Sequence, residues 1–145
     1  MEKIRVKKLK ENAILPTYGS LEAAGADLYA CLDASVMIGP GESAFIPTGL
    51  AMEIPFGYAG LIYARSGLAC KRGLAPANKV GVVDSDYRGE FMVVLHNHSN
   101  ASQEIAHGER IAQLVIAPVF TPGFTEVEEL TDTDRADGGF GSTGK

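Results

Sequence analysis

The chain has few of the features that mark secreted or membrane proteins. Its 145 residues include only two cysteines, Cys31 and Cys70, and their wide separation predicts no disulfide framework. A reducing, cytoplasmic location is therefore the simpler expectation. The charged first residues are not followed by a long apolar run, so we expect neither a signal peptide nor a membrane span.

Positive charge is also scarce. The chain carries 13 Lys and Arg residues against 18 Asp and Glu residues, which gives a formal net charge of −5. Proteins that bind nucleic-acid polymers use clustered positive charge, and no such cluster is visible in the sequence. We therefore expect no nucleic-acid polymer as a partner, although a few converging cations can still bind a small anion.

No stretch has the 3.6-residue period of a long helix. Glycine and proline recur at short intervals, with apolar or alternating runs between them at 43–46, 50–54, 58–63, 91–95 and 111–120. One or two helical turns are predicted at 66–71, ended by Gly73. This pattern predicts an all-β fold, a β-sandwich or jelly roll, as a single domain over residues 1–145.

The end of the sequence differs from the rest because glycine, serine and threonine dominate residues 138–144. Such tails are commonly flexible and without function. Here, however, Arg135 offers a guanidinium fork for phosphate, and glycine backbone with two hydroxyls offers further donors. Phe140 can stack on a base. We predict a mobile arm over about 135–145 that orders on a nucleotide triphosphate through Arg135, Phe140, Gly141, Ser142 and Thr143.

Arg65, Ser66 and Gly67 lie in the segment 64–69, which comes directly after the predicted strand 58–63. A cation, a hydroxyl and free amides at a strand-to-helix junction suit phosphate. The alternative is that Ser66 merely caps a short helix while Arg65 is solvated, and from the residues alone this is the somewhat stronger interpretation.

Residues 78–89 are interpreted as a hairpin that ends in an acidic turn. Asp84 follows a small and apolar run, which would place its carboxylate at the lip of a pocket, where it can orient and deprotonate a water. Simple turn chemistry is the alternative for Asp84 and its neighbours. Tyr87 would by default be a packed aromatic with an exposed hydroxyl.

Two polar residues interrupt otherwise small or apolar segments. Asp27 lies within 24–30 and either holds a metal-bound water or ends a turn. Gln113 lies in the apolar run that ends at residue 120, and a buried amide needs a ligand or an internal hydrogen-bond partner.

The histidines form a separate candidate site. His96 and His98 point to one face of a strand and, with Glu104, resemble an incomplete cupin metal motif in which His107 is a possible substitute ligand. The spacing to Glu104 is too long for the motif, so exposed strand-end histidines are the preferred interpretation.

Five segments, in order, resemble the motifs of trimeric dUTPases. They are residues 24–28 (AGADL), 65–69 (RSGLA), 81–89 (GVVDSDYRG), 108–114 (GERIAQL) and 135–144 (RADGGFGSTG). The third and fifth are the most specific, and together the segments span nearly the whole chain. Ala136 departs from the family, which usually has glycine after the arginine, and its methyl group is expected to restrict the arm slightly.

The resemblance implies a distorted jelly-roll subunit in a homotrimer whose active sites are shared between chains. It implies hydrolysis of dUTP to dUMP and pyrophosphate with Mg2+, which limits uracil in DNA and supplies dUMP for thymidylate synthesis. Asp84 resembles the catalytic acid, and Asp27 the acid that reaches magnesium through water. The implied substrate-binding residues are Arg65, Ser66, Gly67, Asn78, Gly81, Val82, Val83, Tyr87, Met92, Gln113, Arg135, Phe140, Gly141, Ser142 and Thr143.

Two other interpretations stay open at this stage. A dCTP deaminase would share the fold and the phosphate-binding logic, but it would need a catalytic Glu in the base pocket where this chain offers Asp84 and Tyr87. A non-catalytic jelly-roll binding module, with the glycine tail as a linker, would show no turnover.

Overall fold

The computed structural model describes residues 3–144 of the chain. Met1, Glu2 and Lys145, at the ends of the predicted domain and arm, lie outside the described residues. The strands are β1 Arg5–Lys8, β2 Thr17–Tyr18, β3 Ala26–Tyr29, β4 Val36–Ile38, β5 Ser43–Pro47, β6 Leu50–Glu53, β7 Tyr58–Tyr63, β8 Leu74–Pro76, β9 Gly81–Val83, β10 Met92–Asn97, β11 Gln103–Ile105 and β12 Arg110–Pro118; α1 is Ser66–Arg72.

All strand pairs in the described chain are antiparallel, and they form four small sheets. The largest has the order β2-β3-β12-β7-β9, and a second has the order β5-β10-β8. β1 pairs with β6, and β4 pairs with β11. The predicted all-β jelly-roll fold is confirmed, and the many non-consecutive neighbours show that it is built largely from long-range pairing.

Strand β12 organises the five-stranded sheet because it pairs with β3 on one side and with β7 on the other. Gln113 is opposite Asp27 in β3 and opposite Tyr63 in β7. Residues directly opposite each other point to the same face of a sheet. A β-bulge between Arg110 and Ala112 shifts the register by one residue, which re-aims Arg110.

The core is one cluster of apolar side chains, and the alternation predicted for residues 50–54 points into it. Leu50, Met52 and Ile54 are buried as predicted, and Ala51 is buried as well. Within residues 3–144 no helix has the length and apolar character needed to span a bilayer.

Helix α1 matches the predicted position closely. It ends at Gly73, whose φ of 67° and amide bonds to the carbonyls of Ala69 and Leu68 form a left-handed C-cap. We considered Ser66 as the N-cap, but Arg65 occupies that position, and no side chain in the described part of the chain caps the helix. The hydroxyl of Ser66 is therefore not used as a helix cap.

The hairpin predicted over residues 78–89 is wrong in its pairing. The segment contains one strand, β9, and its partner is β7, with Val82 opposite Leu61. The chain then turns through residues 84–90 and enters β10, which belongs to the other large sheet. Long-range pairing with β7 has overridden the local pattern, since β7 offers a complete neighbouring edge.

Residues 118–137 are exposed along their whole length. From residue 134 the chain forms successive turns, in which Arg135 Nε donates to the carbonyl of Gly138 at 2.7 Å. Ala136 has a φ of 46°, a left-handed conformation that favours glycine. This left-handed conformation is the local reason why the methyl group of Ala136 is expected to restrict the arm.

Asn97 is a fully buried amide with complete hydrogen bonding. Its Nδ2 donates to the carbonyls of Ile38 and Ala101 at 2.9 and 2.8 Å, and its Oδ1 accepts from the amide and hydroxyl of Ser99. This side chain fastens the end of β10 to β4 and to the following turn.

We expect Asn97→Ala to lower the free energy of unfolding by about 3 kcal/mol, because it leaves several buried polar groups unpaired. Urea unfolding at one fixed protein concentration measures this change. The exposed Asn100 in the same turn supplies the control, and Asn100→Ala should change stability by less than about 0.5 kcal/mol. Equal effects of the two substitutions would contradict this role of Asn97.

Candidate functional site

Two cavities contain the predicted site residues of the chain body. The first, the Asp84 cavity, has a volume of ≈ 270 Å³. It lies between β9, the turn 84–90 and β10, and is lined by Phe45, Ile62, Asn78, Gly81, Val82, Val83, Asp84, Tyr87, Glu90, Phe91, Met92 and Val94. Seven of these were predicted from sequence, so the structure brings that group together.

Strand β9, whose residues line the Asp84 cavity, has one edge that is not paired with another strand of the described chain. Among the strands of residues 3–144, β9 is the last of its sheet and has only β7 beside it. The amides and carbonyls on the other edge of a terminal strand are available to a ligand. Asn78 lies beside β9, with its Nδ2 3.5 Å from where a Cβ on Gly81 would be.

Tyr87 is fixed at the cavity by contacts with its own turn. Its hydroxyl donates to the carbonyl of Glu90 at 3.0 Å, and its ring lies 6.2 Å from that of Phe91. The ring packs so closely on Gly89 that a Cβ there would collide with it. Arg88 closes the turn by donating to the carbonyls of Ser85 and Tyr87.

The Arg65 cavity is the second, with a volume of ≈ 190 Å³. Its lining residues are Gly19, Ala23, Gly25, Asp27, Arg65, Ser66, Gly67 and Gln113. The five residues predicted for phosphate and metal contact are all present in this list.

Ion pairs arrange the charges of the Arg65 cavity. Arg65 Nε lies 2.7 Å from Asp27 Oδ1, and Arg110 NH1 lies 3.5 Å from Asp27 Oδ2. The Asp27 side chain is only 13% exposed, so the carboxylate holds both guanidinium groups in place. The terminal nitrogens of Arg65 can then reach a phosphate while its Nε remains bonded.

Gln113 positions the backbone just before Arg65. Its Nε2 donates to the carbonyl of Ala64 at 2.8 Å, which is the internal partner that we considered for this amide. Its Oε1 lies 2.6 Å from where a Cβ on Gly25 would be. Glycine at position 25 therefore provides the space in which Gln113 lies.

Sequence reasoning missed several lining residues. Phe45 is 70% exposed and reaches the Asp84 cavity from β5 because it pairs with Val94. Ile62, Glu90 and Phe91 were missed too, as was Arg110 beside Asp27. Arg110 had a signal, since it lies within the quoted segment 108–114, but its orientation depends on the bulge in β12.

The arm residues are not brought to either cavity in the described chain. Arg135, Phe140, Gly141, Ser142 and Thr143 are exposed and line neither cavity. Their predicted role in closing over a ligand stays a prediction.

The histidine alternative gains no support from the geometry. Among residues 3–144, no three His, Cys, Asp or Glu side chains are grouped so that they could hold a metal ion. His96 Nδ1 lies 2.9 Å from Ser43 Oγ, and His107 Nδ1 accepts from the amide of Leu32. Both rings thus have partners within the fold.

A model of the dUTPase family matches residues 11–144. The chain belongs to the dUTPase family. It is 56% identical over 143 residues to the deoxyuridine 5'-triphosphate nucleotidohydrolase of Nautilia profundicola, with 99% of each chain covered. It is 50% identical over 141 residues to that of Syntrophotalea carbinolica, covering 97% of this chain and 96% of the relative.

Solved dUTPases have the same fold. The Staphylococcus bacteriophage 80alpha dUTPase, solved with dUPNHPP, superposes with a TM-score of 0.92 at 32% identity and full coverage of both chains. The dUTPase of phage phi11 of S. aureus gives a TM-score of 0.83 at 28% identity, covering 91% of this chain and all of that one. The family resemblance predicted from the ordered motifs is confirmed.

We expect Gly25→Ala to weaken nucleotide triphosphate binding by this dUTPase by roughly tenfold or more, because the new methyl group displaces Gln113 and shifts Ala64 and Arg65. Isothermal titration with a non-hydrolysable dUTP analogue measures this. Gly19 is a matched control, since it lines the same cavity but no atom of the described residues lies within 4 Å of an added Cβ. A loss of affinity in Gly19→Ala as large as that in Gly25→Ala would refute this account.

Proposed function

We propose that this dUTPase acts as one domain over residues 1–145 and hydrolyses dUTP to dUMP and pyrophosphate by attack of water on the α-phosphorus. The observation that carries the proposal is the placement of Asp84 at a cavity bounded by the free edge of β9 and by Tyr87. Its exposed carboxylate can orient a water and accept its proton.

The free edge of β9 supports recognition of uracil. The backbone groups near Gly81 and Val82 are fixed in direction by the pairing of β9 with β7. Donors and acceptors fixed for uracil would be mismatched with cytosine, and buried groups would stay unpaired. The same segment, with Val83, Met92 and Asn78 around it, would clash with the methyl group of thymine.

Tyr87 supports discrimination at the sugar. Its ring is held between Gly89, Glu90 and Phe91, so it cannot easily retreat. A deoxyribose packed on this ring leaves no room for a 2′-hydroxyl, which would exclude UTP.

The Arg65 cavity supports binding of the phosphates. Arg65, Ser66, Gly67 and Gln113 offer a guanidinium, a hydroxyl, backbone and an amide in one small space. Such donors neutralise the charge of a triphosphate and hold it for in-line attack, which is most of what phosphoryl transfer requires.

The residues present fit magnesium as a metal carried mainly by the substrate. Mg2+ usually binds through one or two carboxylates, several waters and the substrate phosphates, and the described residues contain no all-protein cage. Both oxygens of Asp27 already face arginines, so Asp27 suits contact with the metal through water. When bound, Mg2+ would neutralise phosphate charge and orient the chain of phosphates.

The arm completes the proposal. Arg135 would add a second guanidinium to the triphosphate, and Phe140 would stack on the uracil. Gly141, Ser142 and Thr143 would donate to the phosphates. In the described chain Arg135 Nε donates to the carbonyl of Gly138, so closure would carry the terminal nitrogens of Arg135 to the triphosphate while this local bond can remain.

The test is a phosphorus-NMR time course with magnesium and dUTP, dCTP, dTTP or UTP in separate tubes. Products should appear only with dUTP, and Asp84→Asn should reduce kcat by roughly 100-fold or more through loss of the general base. Asp86→Asn, in the same exposed turn, should stay close to wild type. Release of ammonia from dCTP, followed in a separate assay because deamination leaves the phosphates unchanged, would indicate a deaminase, and no turnover at all would favour a binding module.

We further propose that the enzyme works as a homotrimer with shared sites. Within residues 3–144, the Asp84 and Arg65 cavities have no lining residue in common, although one dUTP must occupy both. The exposed segment 118–137 also carries large apolar side chains that assembly would bury, namely Val119, Phe120, Phe124, Val127 and Leu130. A trimer with closed cyclic symmetry would bring the two cavities of different chains together and would bury these apolar side chains.

Mixing two inactive variants tests this assembly. If Asp84 and Arg65 of one site come from different subunits, Asp84→Asn and Arg65→Ala chains refolded together should recover activity at roughly a quarter of the sites, the random share in mixed trimers. Sedimentation should give three times the chain mass. Each variant refolded alone is the control. The proposal would be contradicted if the mixture were no more active than either variant refolded alone, or if the active enzyme were a monomer.

A further inference from the structure

We propose that Glu90 is a positioning residue that fixes Tyr87 and thereby sets the discrimination between dUTP and UTP. This inference rests on the proposed function, because it concerns the same substrate site. It assigns a role to a side chain that lines the Asp84 cavity and that the motif-based prediction did not include.

Glu90 connects Tyr87 to a distant corner of the chain. Its backbone carbonyl accepts the Tyr87 hydroxyl at 3.0 Å, and its carboxylate Oε1 accepts the amide of Gly49 at 2.8 Å. A single residue thus joins the ring that faces the sugar to the connection between β5 and β6.

That connection is a firm anchor. Thr48 is fully buried, and its hydroxyl and amide both donate to the carbonyl of Phe91, at 2.6 and 3.2 Å. The amide of Phe91 donates back to the carbonyl of Leu50 at 2.8 Å. Residues 48–50 and 90–91 are therefore joined by four hydrogen bonds, of which the Glu90 carboxylate supplies one.

Gly49 itself has no freedom to move toward or away from Glu90. It is buried with a φ of 68°, and a Cβ at this position would lie 2.9 Å from Ala13 Cβ and from Cys31 Sγ. Its carbonyl also accepts the amide of Leu9 at 2.7 Å. The Glu90 carboxylate is thus bonded to one of the most constrained amides near the site.

Apart from its contact with the buried Phe91 ring, the described contacts of Tyr87 lie within its own turn, where the ring packs on Gly89 and Arg88 donates to the carbonyls of Ser85 and Tyr87. The Glu90 carboxylate adds a side-chain bond between this turn and the connection at Gly49. If that carboxylate is removed, the turn 84–90 loses one of its bonds to residues 48–50 and gains freedom to shift at the cavity. Space would then open at the sugar face of Tyr87, where a 2′-hydroxyl must fit.

The experiment measures kcat/KM for dUTP and for UTP with the full-length enzyme and its variants. Glu90→Ala should lower the ratio of kcat/KM for dUTP to kcat/KM for UTP by about tenfold or more, because a looser contact of Tyr87 with the sugar admits the 2′-hydroxyl of UTP more readily. Glu90→Gln keeps an acceptor oxygen for the Gly49 amide and should stay within about twofold of the wild-type ratio.

Glu42 provides a matched control. Its Oε2 accepts the amide of Gly39 at 2.9 Å, the same kind of carboxylate-to-glycine bond, but it lines neither cavity. Glu42→Ala should leave the dUTP-to-UTP ratio unchanged even if it lowers stability. A role of Glu90 that is only structural predicts that both alanine variants leave the ratio unchanged, and this result would overturn the inference.

Glu90→Asp replaces Glu90→Ala in this measurement if the alanine variant does not fold. It keeps the charge but shortens the reach to Gly49 by one methylene, so the ratio should fall in the same direction. An unchanged ratio in a folded Glu90→Asp enzyme would overturn the inference while the function stands. A wild-type enzyme without dUTP turnover would overturn the proposed function, and the inference with it.

Discussion

The register of β12 is the constraint on which the Arg65 cavity depends. Because Gln113 is opposite both Asp27 and Tyr63, the carboxylate, the amide and the residues after Tyr63 meet on one face of the sheet. A shift of one residue would turn Gln113 into the core and Leu114 toward the cavity. The bulge after Arg110 adds to this arrangement, since it allows Arg110 to approach the same carboxylate.

Sequence reasoning located the cavity-lining residues better than the strand pairing. The order of the motifs singled out Asp27, Arg65, Gln113 and Asp84, which line the two cavities, and their chemical roles stay predictions. Turn signals placed α1 correctly because Ser66 and Gly73 bound it closely. The strand ending at residue 120 was predicted two residues too long, because the ladder with β7 ends where Pro118 meets Tyr58.

The missed residues share a physical cause. Phe45 reaches the Asp84 cavity only because β5 pairs with β10, and Glu90 has a partner 41 positions away at Gly49. Neither contact has a local pattern in the sequence, since both arise from long-range antiparallel pairing. The wrong hairpin at 78–89 has the same origin, because β7 supplied the partner that the local pattern assigned to the segment itself.

The position of the exposed segment 118–137 has a consequence for biosynthesis. It follows β12, the strand that joins β3 to β7, so the ribosome releases it only after every strand of the subunit has been made. Phe120 and Phe124 therefore emerge with or just after the strand that closes the core. These large apolar side chains are not exposed on chains that still lack the earlier strands, which limits aggregation of incomplete chains during translation.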